Sequence, residues 1–216
     1  MNSREIKWSS DLAYAVGLIT ADGCLSKDGR HIELTSKDIE QLENFQKCLG
    51  IKVKIGWKTS GYNDQRHTRV QFGDVVLYRW LLSIGLKPNK SKTLGPLKIP
   101  NKYFFDFLRG YFDGDGSTYS YWDPRWKSSF MFYLQFVCGS KEYLNWLQKS
   151  IKSLAGVDGT IGRATRCYNL VYAKKASKEI IQHMYKNEIS IFLTRKRDKI
   201  NNALQVEVAE SVDALG

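Results

Sequence analysis

Two short stretches of the chain repeat one pattern, a helix-forming run with a glycine in its middle that is closed by Asp-Gly. The first covers residues 15–23 and the second covers residues 108–116. Their last aspartates, Asp22 and Asp115, are therefore equivalent, and they lie 93 residues apart (115 − 22) in a chain of 216 residues. A repeat at slightly less than half the chain length predicts a protein built from two similar halves.

Each copy of the pattern is predicted to be a helix. The first follows a serine cap at Ser9 and ends near Asp22. The second has a start signal at Pro100, runs from Tyr103 to Asp113, and stops at the glycines that follow. The two elements therefore match in length and in termination.

Small residues recur at intervals of four along both predicted helices. They include Ala13 and Gly17 in the first helix, and Gly110 and Gly114 in the second. This interval places them on one face, where two helix backbones can approach closely. Glycine inside a helix costs about 1 kcal/mol relative to alanine, so it needs a packing reason. We therefore predict that Ala13, Gly17 and Gly110 form a contact between the helices, which carries the two aspartates to the same end.

The same order of elements follows each motif. Hydrophobic periodicity and turn residues predict strands at 24–26, 32–35, 51–58, 68–72, 118–122, 130–138, 160–163 and 167–173, and helices at 37–49, 75–84, 141–154 and 177–186. Each half is thus predicted to be α-β-β-α-β-β-α, and the fold class is α+β. The expected units are an amino-terminal half at 1–93, a linker at 94–102, a carboxy-terminal half at 103–203, and a poorly ordered tail at 204–216.

Two predicted strands of the first half have one apolar and one cationic face. The first strand alternates Ile51, Val53, Ile55 and Trp57 with Lys52, Lys54 and Lys58. The second sets Arg69 and Gln71 opposite Thr68, Val70 and Phe72. A cationic sheet face favours a polyanionic partner.

Composition supports such a partner. The chain has 33 Lys and Arg against 22 Asp and Glu, a net charge of +11. This balance favours nucleic acid, because phosphate neutralisation releases condensed counterions. The four cysteines stand far apart, which argues against a zinc site and a disulfide framework.

The sequence also indicates where the protein functions. The longest apolar run, Leu12 to Ala21, is too short to span a membrane, and no secretory signal is present. We expect an intracellular protein that is not secreted, cytoplasmic in a prokaryote or organellar if an organelle intron encodes it.

At the two motifs the chain resembles the LAGLIDADG homing endonucleases of the monomeric, two-motif type. The first motif matches at Gly17, Leu18, Ile19, Ala21, Asp22 and Gly23, and the second at Leu108, Gly110, Asp113, Asp115 and Gly116. The resemblance implies pseudo-symmetric halves packed through the motif helices. Each half would lay an antiparallel sheet, part of a DNA-binding saddle, along a major groove.

The resemblance also implies a metal site at the helix ends. Asp22 and Asp115, with the backbone at Ala21 and Gly114, would bind Mg²⁺ near two scissile phosphates across the minor groove. Hard oxygen ligands without a cysteine or histidine cluster suit this ion. Mn²⁺ is expected to substitute, and Ca²⁺ is expected to permit binding without cleavage.

Further residues are assigned roles from the same resemblance. Lys37 and Lys141 recur as Ser-Lys after the second strand of each half and are predicted to assist catalysis. The residues assigned to DNA contact are Lys52, Lys54, Lys58, Arg66, Arg69, Gln71, Arg125, Lys127, Arg163 and Arg166. Two roles stay open for the hairpin tyrosines Tyr119 and Tyr121, DNA contact and packing, of which packing is the more frequent for aromatic residues in hairpins. Basic residues that follow the last predicted helix of each half, such as Lys90 and Lys196, are expected to contact phosphate or solvent.

The function implied is a site-specific DNA homing endonuclease. It would cut both strands of a long asymmetric target by Mg²⁺-dependent hydrolysis and leave short 3′ overhangs, as a monomer without a protein partner. The alternative is a catalytically reduced relative that acts as an RNA intron maturase or as a DNA-binding regulator. The presence of both Asp22 and Asp115 favours the nuclease.

Overall fold

The computed structural model describes residues 5–59, 66–126, 129–186 and 191–213, with side chains as far as Val206. The helices are α1 (Ser10–Ala21), α2 (Ile39–Leu49), α3 (Val75–Ser83), α4 (Phe104–Asp115), α5 (Lys141–Ala155), α6 (Lys174–Met184) and α7 (Thr194–Asp213). The strands are β1 (Gly23–Leu25), β2 (His31–Ser36), β3 (Gly56–Thr59), β4 (Arg66–Gly73), β5 (Gly116–Trp122), β6 (Phe130–Cys138), β7 (Thr160–Arg163) and β8 (Tyr168–Ala173).

The strands form two four-stranded sheets of identical topology. Their orders are β1-β2-β4-β3 and β5-β6-β8-β7, and the pairs are antiparallel throughout. In each half a motif helix precedes the first strand and one helix follows each hairpin. The predicted α+β class and the two pseudo-symmetric halves are therefore confirmed.

The two motif helices, α1 and α4, pack directly against each other at the centre of the molecule. Residues 12–20 of α1 are all buried, as expected for a helix covered on every side. A β-carbon built on Gly17 would lie 2.2 Å from the carbonyl oxygen of Phe107, and one on Gly110 would lie 2.0 Å from that of Tyr14. Only glycine permits this backbone contact, and the buried Ala13 lies on the same helix.

Each sheet covers the core with one face only. The alternating side chains Ile32 and Leu34 in β2, and Leu134 and Phe136 in β6, are fully buried against the helices. The intervening residues point away from the core, as the two-residue period of a strand requires. The helices therefore pack against one face of each sheet, and the other face points outward.

Strand β3 begins later than the sequence predicts. The strand expected at 51–58 starts only at Gly56, so Lys52 and Lys54 lie in an irregular segment. The backbone N–H of Val53 donates to Oε1 of Gln46 at 2.6 Å, a side-chain bond in place of a strand ladder bond. Trp57, predicted to be on an apolar face, is 64% exposed because β3 is the edge of its sheet.

The last helix crosses a predicted boundary. Helix α7 runs through Asp213, so residues 204–213 continue a helix where a poorly ordered tail was expected. Neither glycine nor proline interrupts residues 194–213, and Ile200 anchors the helix in the core. Across the described residues, none of the helices is both long enough and apolar enough to cross a membrane.

Candidate functional site

The carboxyl ends of α1 and α4 meet, and they bring Asp22 and Asp115 to one site. Asp22 is the C-cap of α1, and Asp115 is the last residue of α4. A β-carbon built on Gly114 would lie 2.3 Å from the β-carbon of Ala21 and 3.0 Å from a carboxylate oxygen of Asp22. The structure thus groups Ala21, Asp22, Gly114 and Asp115, the residues that the family resemblance implies as metal ligands.

Both carboxylates reach the surface, yet enough protein surrounds them to weaken their hydration. Desolvation raises the pKa of Asp22, and a hydrogen bond from Gln41 Nε2 at 3.0 Å opposes that rise. Desolvation, followed by repulsion from Asp22, raises the pKa of Asp115 to about 6. Two acids that repel each other in a poorly hydrated site favour a shared cationic partner.

Two buried lysines, Lys90 and Lys196, lie beside the carboxylates. Each is only 8% exposed. Lys90 Nζ donates to the carbonyl oxygen of Gly23, immediately after Asp22. Lys196 Nζ donates to the carbonyl oxygens of Phe112, Gly114 and Gly116, which surround Asp115, at 2.6, 2.9 and 2.7 Å. Each ammonium therefore interacts with the carboxyl end of one motif helix, where a positive charge is stabilised.

The burial of these lysines changes their acidity. Desolvation lowers the pKa of Lys90, and it lowers the pKa of Lys196 to about 8. Attraction to Asp115 and Asp22 partly restores the pKa of Lys90. Attraction to Asp113, and then to Asp22 and Asp115, does the same for Lys196. Both lysines were expected to contact phosphate or solvent, and the expectation of solvent contact is wrong because both are buried. The one sequence signal was that each follows the last helix predicted for its half, at 75–84 and at 177–186.

Lys37 and Lys141 are exposed, and they are not equivalent. Leu34 pairs with the glycine that ends the first motif, and Phe136 pairs with the glycine that ends the second. Lys37 lies three residues beyond Leu34, whereas Lys141 lies five beyond Phe136, so the shared Ser-Lys is out of register. The inferred equivalence was wrong. Their catalytic role stays a prediction that rests on each lysine alone.

Gln41 is a site residue that sequence reasoning missed. It is 2% exposed, donates to Asp22, and accepts from Ser36 Oγ at 2.9 Å. By strand register its counterpart is Tyr143, seven residues beyond Phe136 as Gln41 is beyond Leu34. Tyr143 is buried, and its hydroxyl has no hydrogen bond within the described residues. The two halves of the site therefore support their carboxylates differently.

The donor set suits a hard cation. The described residues contain no group of three or more His, Cys, Asp and Glu side chains placed to enclose a metal. Mg²⁺ needs fewer protein ligands, because it keeps several waters and takes oxygen from one or two carboxylates and from substrate phosphates. Asp22 and Asp115 fit that requirement. The carbonyl oxygen of Gly114 already accepts from Lys196, which leaves it one lone pair.

Asp113, a third aspartate of the motifs, makes hydrogen bonds that connect elements of the fold. Its Oδ2 accepts from the hydroxyl of Tyr14 at 2.6 Å and from the backbone N–H of Leu193 at 2.8 Å. The side chain thereby links α1, α4 and the segment before α7. Desolvation raises the pKa of Asp113 to about 6.

The residues assigned to DNA contact are distributed over both halves. Lys58, Arg69 and Gln71 lie on the outward face of the first sheet. Arg66 is exposed on β4, and Lys52 and Lys54 are exposed before β3. These six residues lie on or beside one sheet.

The second half is arranged differently. Arg125 is paired with Asp123 at 3.0 Å in the β5–β6 turn, and Lys127 lies outside the described residues. Arg163 lies at an inward register position of the edge strand β7, and Arg166 is exposed in the next turn. None of these described arginines lies at an outward strand position of the second sheet.

This combination of packed motif helices, paired helix-end acids and two equivalent sheets defines a two-motif LAGLIDADG fold. Residues 9–84 match the family model described as a LAGLIDADG-like domain. A comparison with curated protein sequences gives no significant match. The first half of the chain thus matches the family model, and the whole chain has the two-motif LAGLIDADG fold, which confirms the resemblance found in the sequence.

Solved structures share this fold over most of the chain. The homing endonuclease I-WcaI bound to its DNA recognition sequence is 14% identical, with a TM-score of 0.61 and coverage of 88% of this chain and 90% of that chain. I-LtrWI bound to target DNA is 14% identical, with a TM-score of 0.60 and coverage of 96% and 93%. The N-terminal LAGLIDADG domain of DUF199/WhiA is 19% identical, with a TM-score of 0.54 and coverage of 91% and 88%.

Proposed function

We propose that this protein is a site-specific DNA endonuclease that cuts both strands of a duplex with Mg²⁺. The observation that carries the proposal is the meeting of two equivalent carboxylates, Asp22 and Asp115, each beside its own buried lysine. One carboxylate for each strand matches the needs of a double-strand cut. Structural neighbours such as I-WcaI and I-LtrWI, which are homing endonucleases bound to DNA, support it.

Asp22 and Asp115 would hold the metal, with water and phosphate oxygens completing its coordination. When bound, the ion would neutralise phosphate charge and make a bound water more acidic. Lys90 and Lys196 provide fixed positive charge beside each acid and favour the ionised carboxylates. Gln41 orients Asp22 by donating a hydrogen bond to it. These groups are positioned before substrate binds, so they need no reorganisation during the reaction.

The DNA would contact the outward faces of the two sheets. The net charge of +11 favours association with a polyanion, and the cations Lys58 and Arg69 lie on such a face. Because the two halves are pseudo-symmetric, each sheet would contact one half of a long, asymmetric DNA target. The scissile phosphates would then lie at the helix ends, and cleavage across the minor groove would leave short 3′ overhangs.

A second candidate is a protein that keeps the fold and binds nucleic acid without cutting it. The WhiA domain, which is not described as an endonuclease, shares the fold. The unequal support of the two acids is compatible with this role, because Gln41 donates a hydrogen bond to Asp22 whereas the hydroxyl of the equivalent Tyr143 makes none within the described residues. Proteins of this kind would be a DNA-binding regulator or an RNA intron maturase.

The test begins with selection of bound sequences from a randomised duplex library in Ca²⁺, followed by cleavage of the selected duplex in Mg²⁺. We expect Asp22→Asn and Asp115→Asn each to lower double-strand cleavage at least about 100-fold, while binding persists. Asp11→Asn, at the exposed opposite end of α1, is the matched control and should cut normally. Tight binding without cleavage by the wild type would favour the second candidate.

A further inference from the structure

The outward faces of the two sheets differ in chemistry. In the first sheet Glu33 is at the centre of an ion-pair cluster, with a side chain that is 9% exposed. Its Oε1 lies 2.5 Å from Lys58 Nζ, and its Oε2 lies 2.9 Å from Arg69 Nη1. One buried carboxylate therefore holds two cations on the face assigned to DNA.

This cluster fixes one end of the Arg69 guanidinium and leaves its other donors available. Among the described contacts the guanidinium uses only Nη1, so Nη2 and Nε keep donors that can point away from the sheet. A guanine in the major groove presents two acceptors, N7 and O6, to such a pair of donors. An arginine already held by a carboxylate loses less side-chain entropy on binding. Glu33 is thus a positioning residue for guanine contacts.

The second sheet has no charged side chain at its outward strand positions. Those positions are Ser117, Tyr119, Tyr121, Met131, Tyr133, Gln135, Val137, Thr160, Gly162, Asn169, Val171 and Ala173. The rings of Tyr119 and Tyr133 stack at 4.7 Å and 12°, and Tyr121 lies 6.0 Å from Tyr133 at 16°. Tyr119 and Tyr121 are 40% and 46% exposed. Of the two roles left open for Tyr119 and Tyr121, packing into the core does not hold, since they form an exposed aromatic surface.

A neutral aromatic surface recognises bases differently from an arginine. It has no cation for guanine, but its ring carbons can contact the C5 methyl group that only thymine presents in the major groove. Stacking of the tyrosines fixes their orientation, so little rotamer freedom is lost on binding. This surface therefore favours a thymine-containing half-site.

We propose that the two sheets recognise half-sites of different composition: the first reads guanine through Arg69 and Lys58 held by Glu33, and the second reads thymine methyl groups through Tyr119, Tyr121 and Tyr133. This assignment rests on the DNA binding of the proposed function. It predicts that the selected target is asymmetric in base composition.

The experiment uses the selected duplex with deoxyuridine in place of thymine in one half-site at a time. Deoxyuridine keeps base pairing and removes only the methyl group. We expect at least about tenfold weaker binding when the substitution is in the tyrosine half, corresponding to two lost methyl contacts, and little change in the other half. Tyr119→Ser combined with Tyr121→Ser should abolish this methyl dependence, because serine has no apolar group to contact the methyl, whereas Tyr119→Phe combined with Tyr121→Phe should preserve it.

Glu33→Gln tests the first half-site. We expect the preference for guanine to fall at least about tenfold in that half only. Affinity for non-specific duplex should be unchanged or higher, because a negative charge leaves the DNA-facing surface. A purely structural role of Glu33 would lower both affinities, and thermal unfolding reports on that directly.

The outcomes separate the two proposals. A failure to select any sequence would overturn the proposed function, and this inference with it. A selected target that shows equal uridine effects in both halves, or an unchanged guanine preference in Glu33→Gln, would overturn the half-site assignment alone.

Discussion

Replacing Gly17 by alanine sets two physical effects against each other. Helix propensity alone predicts stabilisation by about 1 kcal/mol, because alanine restricts the unfolded chain and glycine does not. Packing predicts the opposite. The added β-carbon would lie 2.2 Å from the carbonyl oxygen of Phe107 and 2.6 Å from the backbone nitrogen of Tyr111, whereas contacts below 3.0 Å essentially never occur.

The obstructing atoms belong to the backbone of α4, so a side-chain rotation cannot relieve the clash. The two motif helices must separate, and overpacking of this kind costs about 1–3 kcal/mol. An overpacking cost of about 3 kcal/mol, less a helix-propensity gain of about 1 kcal/mol, leaves a net loss of about 2 kcal/mol in the free energy of unfolding. For a chain of this size that corresponds to a fall in Tm of about 4–8 °C.

Urea unfolding followed by circular dichroism measures the effect, with Gly56→Ala as the matched control. A β-carbon on Gly56 meets nothing within 4 Å, so that variant should unfold like the wild type. Separation of α1 from α4 also moves Asp22 away from Asp115, so cleavage by Gly17→Ala should fall although both acids remain. A variant as stable as the wild type, or more stable, would refute the direct backbone contact.

Three other variants test the site and its surroundings. Lys196→Met leaves three carbonyl oxygens without their donor; we expect a loss of about 1–3 kcal/mol and a single-turnover cleavage rate at least about tenfold lower. The pKa of Asp113 is raised in the folded state to about 6, so the folded protein binds the extra proton and stability falls as pH rises from about 4 to about 6. Asp113→Asn should remove about 2 kcal/mol of that dependence, measured as urea midpoints across this range, and an unchanged slope would contradict the burial argument. Lys54→Ala should reduce the slope of log affinity against log salt by about 0.9, and an identical slope would show that Lys54 contacts no phosphate.

The sequence alone determined the features that depend on short-range periodicity. The spacing of Gly17 and Gly110 predicted the contact between α1 and α4, and this contact in turn placed Asp22 and Asp115 together. Alternation in β4 predicted that Thr68 and Val70 face the core. Local patterns succeed here because a helix repeats every 3.6 residues and a strand every two.

Only the tertiary structure decided which other groups surround the acids. Lys90 lies 67 residues from the carbonyl that it contacts, and Lys196 lies 80 to 84 residues from its three. No local pattern encodes such pairings. The apparent repeat of Lys37 and Lys141 failed for the same reason, since strand register, and not the nearest matching dipeptide, defines equivalent positions.

The chemistry of the outward sheet faces likewise required the assembled strands. Glu33 meets Lys58 and Arg69 only because β2, β4 and β3 lie side by side, which brings residues 25 and 36 positions apart within hydrogen-bonding distance. Tyr119 and Tyr133 stack because they are directly opposed on β5 and β6. A sequence specifies which side chains leave a strand on one face. The order and register of the strands decide which of them meet, because those depend on hydrogen bonds between distant segments.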